Sequence, residues 1–84
     1  MALMKSVPVA LADIYVPQKR RETVDAAKVE ALAEDIMENG LRSPVQVRRD
    51  KDRYVLVAGL HRLEAMRALG EETIDALIVA ARQF

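Results

Sequence analysis

The sequence predicts a small α+β fold of α/β type: a mixed sheet with two main helices, in the order β-α-β-β-α-β. Three observations lead there. The chain has 84 residues, enough for one core and too few for a second catalytic domain. One long segment, Asp25 to Asn39, repeats apolar residues at helical spacing, while the segments around it alternate or run apolar as strands do. Glycine and proline are few and stand between these segments: Pro8, Pro17, Pro44, Gly40, Gly59 and Gly70. No internal repeat, low-complexity tract or linker interrupts residues 1–84, which read as a single unit.

Val7 to Leu11 is apolar but contains Pro8, which lacks the N–H a central strand needs, so an edge strand is predicted. Asp13 to Thr23 reads as a loop carrying Pro17 and the basic run Lys19, Arg20, Arg21. Asp25 is a good N-cap, and Val29, Leu32, Ala33, Ile36 and Met37 form one stripe of the first helix. Asn39-Gly40 supplies its stop. Pro44 opens a strand in which Val45 and Val47 alternate with Gln46 and Arg48. After the polar turn Arg49 to Arg53, Tyr54 to Ala58 is nearly continuous in apolar residues, the pattern of a strand covered on both faces. The short separation suits an antiparallel hairpin. Gly59 ends the strand, Leu60 to Leu69 has helical spacing, and Gly70 ends that helix. Thr73 to Val79 is a last strand, followed by the tail 80–84.

Composition excludes several classes of function. With no cysteine, disulfide scaffolds, thiolate metal sites and thiol catalysis are out. No apolar run reaches the roughly 20 residues that span a bilayer. The N-terminal stretch is too short and too weakly charged for a signal peptide, so a soluble, cytoplasmic protein is expected. Thirteen Lys and Arg balance thirteen Asp and Glu. A neutral chain is not one that coats nucleic acid by bulk charge, although a local basic pocket remains open to it.

The chemistry-bearing segment is Gly59-Leu60-His61-Arg62, where a strand passes into a helix. A helix start leaves backbone N–H groups unpaired and carries partial positive charge, which suits an anion. Gly59 allows close backbone approach, Arg62 can give a phosphate two parallel donors, and His61 adds another donor. Basic residues in a first helical turn oppose the helix dipole, and a bound anion reverses that sign. Lys28 repeats the pattern near the start of the first helix, and Arg21 belongs to a basic group in the loop before it. The plainer reading makes Gly59 a tight turn and these cations solvated surface; whether the three basic groups converge is a question for the structure.

Catalytic groups are scarce: one histidine, and Ser6 and Ser43 as the only serines, give no nucleophile–base pair. Glu64, Asp13, Glu22 and Asp25 are acceptable ligands for magnesium, but Asp25 is accounted for as a cap and Glu64 as a solvated helix face. Histidine-based metal spacing is absent, so no metal residues are assigned.

Two strings, Gly40-Leu-Arg-Ser-Pro-Val-Gln-Val-Arg48 and Tyr54-Val-Leu-Val-Ala-Gly-Leu-His-Arg-Leu-Glu-Ala65, resemble the N-terminal domain of ParB-type partition proteins, and equally sulfiredoxin. The likeness runs from about Val7 to Val79. In the ParB type the second glycine motif is usually Gly-Glu-Arg-Arg and holds the triphosphate of CTP; in sulfiredoxin it is Gly-Cys-His-Arg and holds ATP phosphates. Here Leu60 replaces both the cysteine and the glutamate. Peroxiredoxin repair by a thiol is therefore excluded. Lys28 matches a sulfiredoxin lysine that contacts ATP, whereas Ala31 and Asp35 replace the hydroxyl residues that follow it. Arg21 sits at the spacing of an arginine in the ParB-type loop.

The resemblance implies a nucleotide- or phosphate-binding domain, with ATP or CTP and magnesium as ligand and a link to DNA partition or plasmid and phage DNA metabolism. Gly59, His61, Arg62, Lys28 and Arg21 are its binding residues. ParB chains continue into a helix-turn-helix and a dimerisation region that these 84 residues do not contain; the expectation is a stand-alone pocket domain if the chain is complete, and the pocket part of a longer protein if it is a fragment. The alternatives are a magnesium-dependent nuclease, phosphohydrolase or kinase using Glu64 or Glu22, and an adaptor that meets DNA or a DNA-processing protein through Arg48, Arg49, Lys51 and Arg53. Pairing of two copies through an exposed strand or the tail 80–84 is a further expectation.

Overall fold

Alternating valines and isoleucines place one face of each strand inside, and the strands join accordingly. The computed structural model describes residues 5–41 and 43–79. Its strands are β1 (Val7–Ala10), β2 (Ile14–Tyr15), β3 (Val45–Asp50), β4 (Arg53–Ala58) and β5 (Thr73–Ile78); its helices are α1 (Gln18–Arg21), α2 (Ala26–Asn39) and α3 (Leu60–Ala68). The sheet has five strands in the order β1-β5-β3-β4-β2. It is mixed: β1 with β5 and β3 with β4 are antiparallel, whereas β3 with β5 and β2 with β4 are parallel. The α+β class is therefore as predicted, and Pro8 lies on an edge strand.

The inward face of the sheet supplies Val9, Val45, Val47, Leu56, Ile74 and Ala76 to the core, and α3 closes it with Leu60, Leu63 and Met66. Among the described residues no polar side chain is buried. Val55 and Leu56 are consecutive and both buried, so β4 is covered on both sides at that point, as its apolar run requires. The β3–β4 hairpin turns through Lys51 and Asp52, with Asp50 paired to Arg53.

Two expectations change. The segment Asp13 to Thr23 is not an open loop: Ile14 and Tyr15 pair in parallel with Tyr54 and Val55, and Gln18–Arg21 makes one helical turn. Ile14 and Val16 are buried on either side of exposed Tyr15, a short alternation ended by Pro17. Second, α2 buries no residue fully, and Met37 is 74% exposed although it lies on the predicted stripe. The helix packs on α3 rather than on the sheet, which leaves Val29, Leu32, Ala33 and Ile36 half-buried. The tail 80–84, expected as a pairing surface, and Arg42 of the glycine-proline string lie outside the described residues.

Candidate functional site

The site is organised by the junction between β4 and α3. The β3–β4 pairing shifts register between Gln46 and Val47, so the end of β4 bulges just before the junction. Gly59 follows in the left-handed region, φ 103°. A Cβ there would lie 2.7 Å from Val45 Cγ1 and 3.1 Å from its Cα. Backbone conformation and space thus both require glycine.

The helix that begins at this glycine has no side-chain cap. Its first intrahelical bond runs from the Leu63 N–H to the Gly59 carbonyl, 2.9 Å, which leaves the N–H groups of Leu60, His61 and Arg62 without helical partners. The start of α2 differs. There the Asp25 carboxylate accepts from the N–H groups of Ala27, 2.9 Å, and Lys28, 3.4 Å. The α3 terminus has no such side-chain cap, so its donors and dipole are left uncompensated by a neighbouring carboxylate.

His61 joins the two starts. Its Nε2 accepts from the Asp25 N–H at 3.1 Å. The sequence pattern makes His61 a phosphate donor; its Nε2 links α2 to α3, and the residue lines the cleft described next.

Between α2, α3 and the segment around α1 lies a cleft of about 710 Å³. Gly59, His61 and Arg62 line it from the junction, Lys28, Ala31, Leu32 and Asp35 from α2, and Arg20 and Thr23 from the segment before α2. Four of the five residues assigned from sequence, Gly59, His61, Arg62 and Lys28, are therefore brought together. Arg21 is not among the lining residues: its Nε donates to the Val16 carbonyl at 3.1 Å and its guanidinium lies 6.0 Å from the centre of the Tyr15 ring. Consecutive helical residues point about 100° apart, and it is Arg20 that turns to the cleft. Arg20 Nη1 donates to the carbonyls of Val57 and, at 3.4 Å, Leu56, which ties the α1 turn to the end of β4. The described ion pairs, Asp50–Arg53 and Glu64–Arg67, involve neither Lys28 nor Arg62. Arg20, Lys28 and Arg62 against Asp35 give the lining residues a formal net charge of +2 within a neutral chain.

The other candidates lie elsewhere. Glu64 pairs with Arg67 at 3.4 Å and faces a separate groove of about 500 Å³ between α2 and α3, lined also by Val24, Val29 and Ala33. Glu22 does not line the cleft. Among the described residues no group of three or more His, Asp or Glu is arranged to hold a metal. The hairpin cations do not form one basic face. Arg48 and Arg49 are successive strand residues on opposite faces, Arg49 lies 5.6 Å from the Tyr54 ring centre, and Arg53 lies 4.2 Å from that of Tyr15. No described helix is long and apolar enough to cross a membrane.

Sequence reasoning missed Arg20, Thr23, Leu32 and Asp35 as members of the site. Lys28, Ala31, Leu32 and Asp35 stand at i, i+3, i+4 and i+7, so one helical face carried the signal.

Comparison with known proteins identifies the family and the fold. The probable chromosome-partitioning protein ParB of Campylobacter jejuni is 37% identical over 62 residues, which are 74% of this chain and 22% of that protein. The chain thus spans about a fifth of the length of this curated relative. Among solved structures, sulfiredoxin from Arabidopsis thaliana superposes with a TM-score of 0.81 at 33% identity, covering 90% of this chain and 85% of the other. The C-terminally truncated chromosome-partitioning protein ParB from Caulobacter crescentus, complexed with CTP-γ-S, superposes with a TM-score of 0.78 at 26% identity, covering 93% and 46%. The ParB N-terminal domain family matches residues 3–83, nearly the whole sequence, and the chain belongs to that family.

Proposed function

We propose that this domain binds the phosphates of a nucleoside triphosphate at the start of α3 and serves as the nucleotide-binding part of a partition-type protein. The observation that carries the reading is the uncapped α3 terminus opening into a cleft with three cations around it. Peptide N–H groups, a helix dipole and guanidinium donors all favour a multiply charged anion. The ParB structure from Caulobacter crescentus, complexed with CTP-γ-S, supports a nucleotide as that anion. Any magnesium that accompanies the ligand would be held chiefly by its phosphate oxygens. The carboxylates that a metal-dependent nuclease or kinase was expected to use, Glu22 and Glu64, lie outside the cleft, so binding is the activity assigned here. A role alongside DNA follows from the named ParB relative and belongs to the same proposal.

Calorimetric titration with ATP, CTP and GTP in magnesium buffer tests it. Arg62→Ala and Arg20→Ala should each weaken the bound nucleotide by about 1.5–3 kcal/mol, the range for hydrogen bonds to charged groups. Arg21→Ala should leave affinity unchanged. Full affinity in both Arg62→Ala and Arg20→Ala would contradict the assignment.

A further inference from the structure

We infer that the outer face of the sheet is a docking surface for helix α2 of a second copy of this chain, an inference that does not depend on the nucleotide reading above. Helix α3 covers the inner face, towards which Val47, Tyr54 and Leu56 turn. The alternate residues point the other way: Arg48 on β3, Arg53 and Val55 on β4, and Tyr15 on β2. Arg48 and Tyr15 are both register partners of Val55, so the three form one row across the sheet. The Arg53 guanidinium lies 4.2 Å from the centre of the Tyr15 ring, and that of Arg21 lies 6.0 Å from it. An exposed ring thus sits among three arginines, and the carboxylate on the same face, Asp50, pairs with Arg53 at 3.4 Å. The patch is basic on balance.

Its complement stands on α2. Glu30, Glu34 and Glu38 recur every fourth residue, all exposed, in a row about 12 Å long. Among the described residues none of the three forms an ion pair. Met37, 74% exposed, borders the row as the i+3 neighbour of Glu34. Each surface therefore carries an exposed apolar group beside charge: Tyr15 with cations, Met37 with anions. A methionine sulfur packs favourably against an aromatic ring, and the opposite charges around the pair fix its register. Like charges at i, i+4 repel along α2, and a cationic surface laid over them offsets that repulsion. The two surfaces cannot meet in one molecule, because α2 rests on α3, on the inner side of the sheet. Between copies they can. Each copy keeps one surface of each kind free, so the contact is head-to-tail and open-ended. Exposed ion pairs contribute little singly, which makes the association weak and sensitive to salt.

Sedimentation equilibrium of the chain at about 1 mM, in about 0.05 M and about 0.5 M salt, reads this contact. Wild type should associate beyond the dimer at low salt, and at least about tenfold more weakly at high salt. A face variant, Arg48→Ala with Arg53→Ala, and a helix variant, Glu34→Ala with Met37→Ala, should each stay monomeric, with circular dichroism to confirm folding. Mixed in equal amounts, the two should form dimers and nothing larger, because each supplies the surface the other has lost. The single changes Arg53→Ala and Met37→Ala, at exposed side chains, replace a double variant that does not fold, and each should weaken association about threefold or more. Monomeric wild type at low salt, assembly that neither variant reduces, or a mixture that stays monomeric would overturn the inference. So would a wild-type assembly that closes at two, since that requires the same patch on both partners. None of the four substituted residues lines the cleft, so each of these results leaves the nucleotide reading standing.

Discussion

Gly59 shows how a single residue can shape both stability and site. Its φ of 103° costs an L-residue about 1–2 kcal/mol, and a methyl group would meet Val45 at 2.7 Å. Gly59→Ala should therefore destabilise the domain by about 2–4 kcal/mol in urea unfolding, strain and overpacking together. Val45→Ala should relieve part of that cost, so the double variant should fall short of additivity by about 1 kcal/mol or more. Additive losses would show that the close approach does not limit the fold. Among the candidate residues, Gly59, His61, Arg62 and Lys28 were legible because a glycine at a strand–helix junction and cations at helix starts are local signals. Arg20 against Arg21 was not legible. Choosing between adjacent arginines needs the phase of α1, and a single helical turn carries no periodicity from which to read it.

Elements differ in how much sequence they needed to be recognised. α2 was delimited from sequence because Asp25 accepts two amide hydrogen bonds at its start and Gly40, at φ 77°, ends it with its N–H on the Ile36 carbonyl. β2 has two residues, too few for alternation to show, and is defined by its parallel pairing with β4. The stop of α3 is likewise local: Gly70 N–H reaches the Arg67 carbonyl and Glu71 N–H that of Met66, the paired bonds of a Schellman motif. The hairpin contains a residue against local preference, Lys51 at φ 57°. Lys51→Gly should stabilise the domain by about 1 kcal/mol in thermal or urea unfolding, because glycine adopts this conformation without a Cβ clash. A loss of stability would refute that reading of the turn. Packing of α2 could not be read from its stripe, since periodicity shows that a face is apolar but not what covers it. Resting on α3 with no fully buried residue, α2 should open more readily than the sheet. Its amides should exchange with deuterium at least about tenfold faster than those of α3 and β4, and nucleotide should slow them. Equal protection throughout would contradict this.

Across the whole molecule, charge is neutral in sum and uneven in place. The cleft's +2 sits among side chains open to solvent, Arg20 and Lys28 being exposed and Arg62 half-buried. Nucleotide affinity should accordingly fall as salt rises from about 0.05 to 0.5 M, because exposed charges are screened over roughly 10 Å at 0.1 M. Affinity independent of salt would assign recognition to something other than these cations. The fold class was legible from the punctuation of the chain, and the family from two motif strings. The convergence of α1, α2 and α3 on one cleft was not, since residues 36 apart, such as Asp25 and His61, meet only in the folded chain. The central claim is that anion recognition begins at the open amides of α3. Amide-resolved NMR titration of the domain with CTP or ATP tests it most directly. The largest shifts are predicted at Leu60, His61 and Arg62, with smaller ones along the Lys28 face of α2. Shifts confined to the hairpin or the outer edge strands, with those three amides unmoved at saturation, would contradict it.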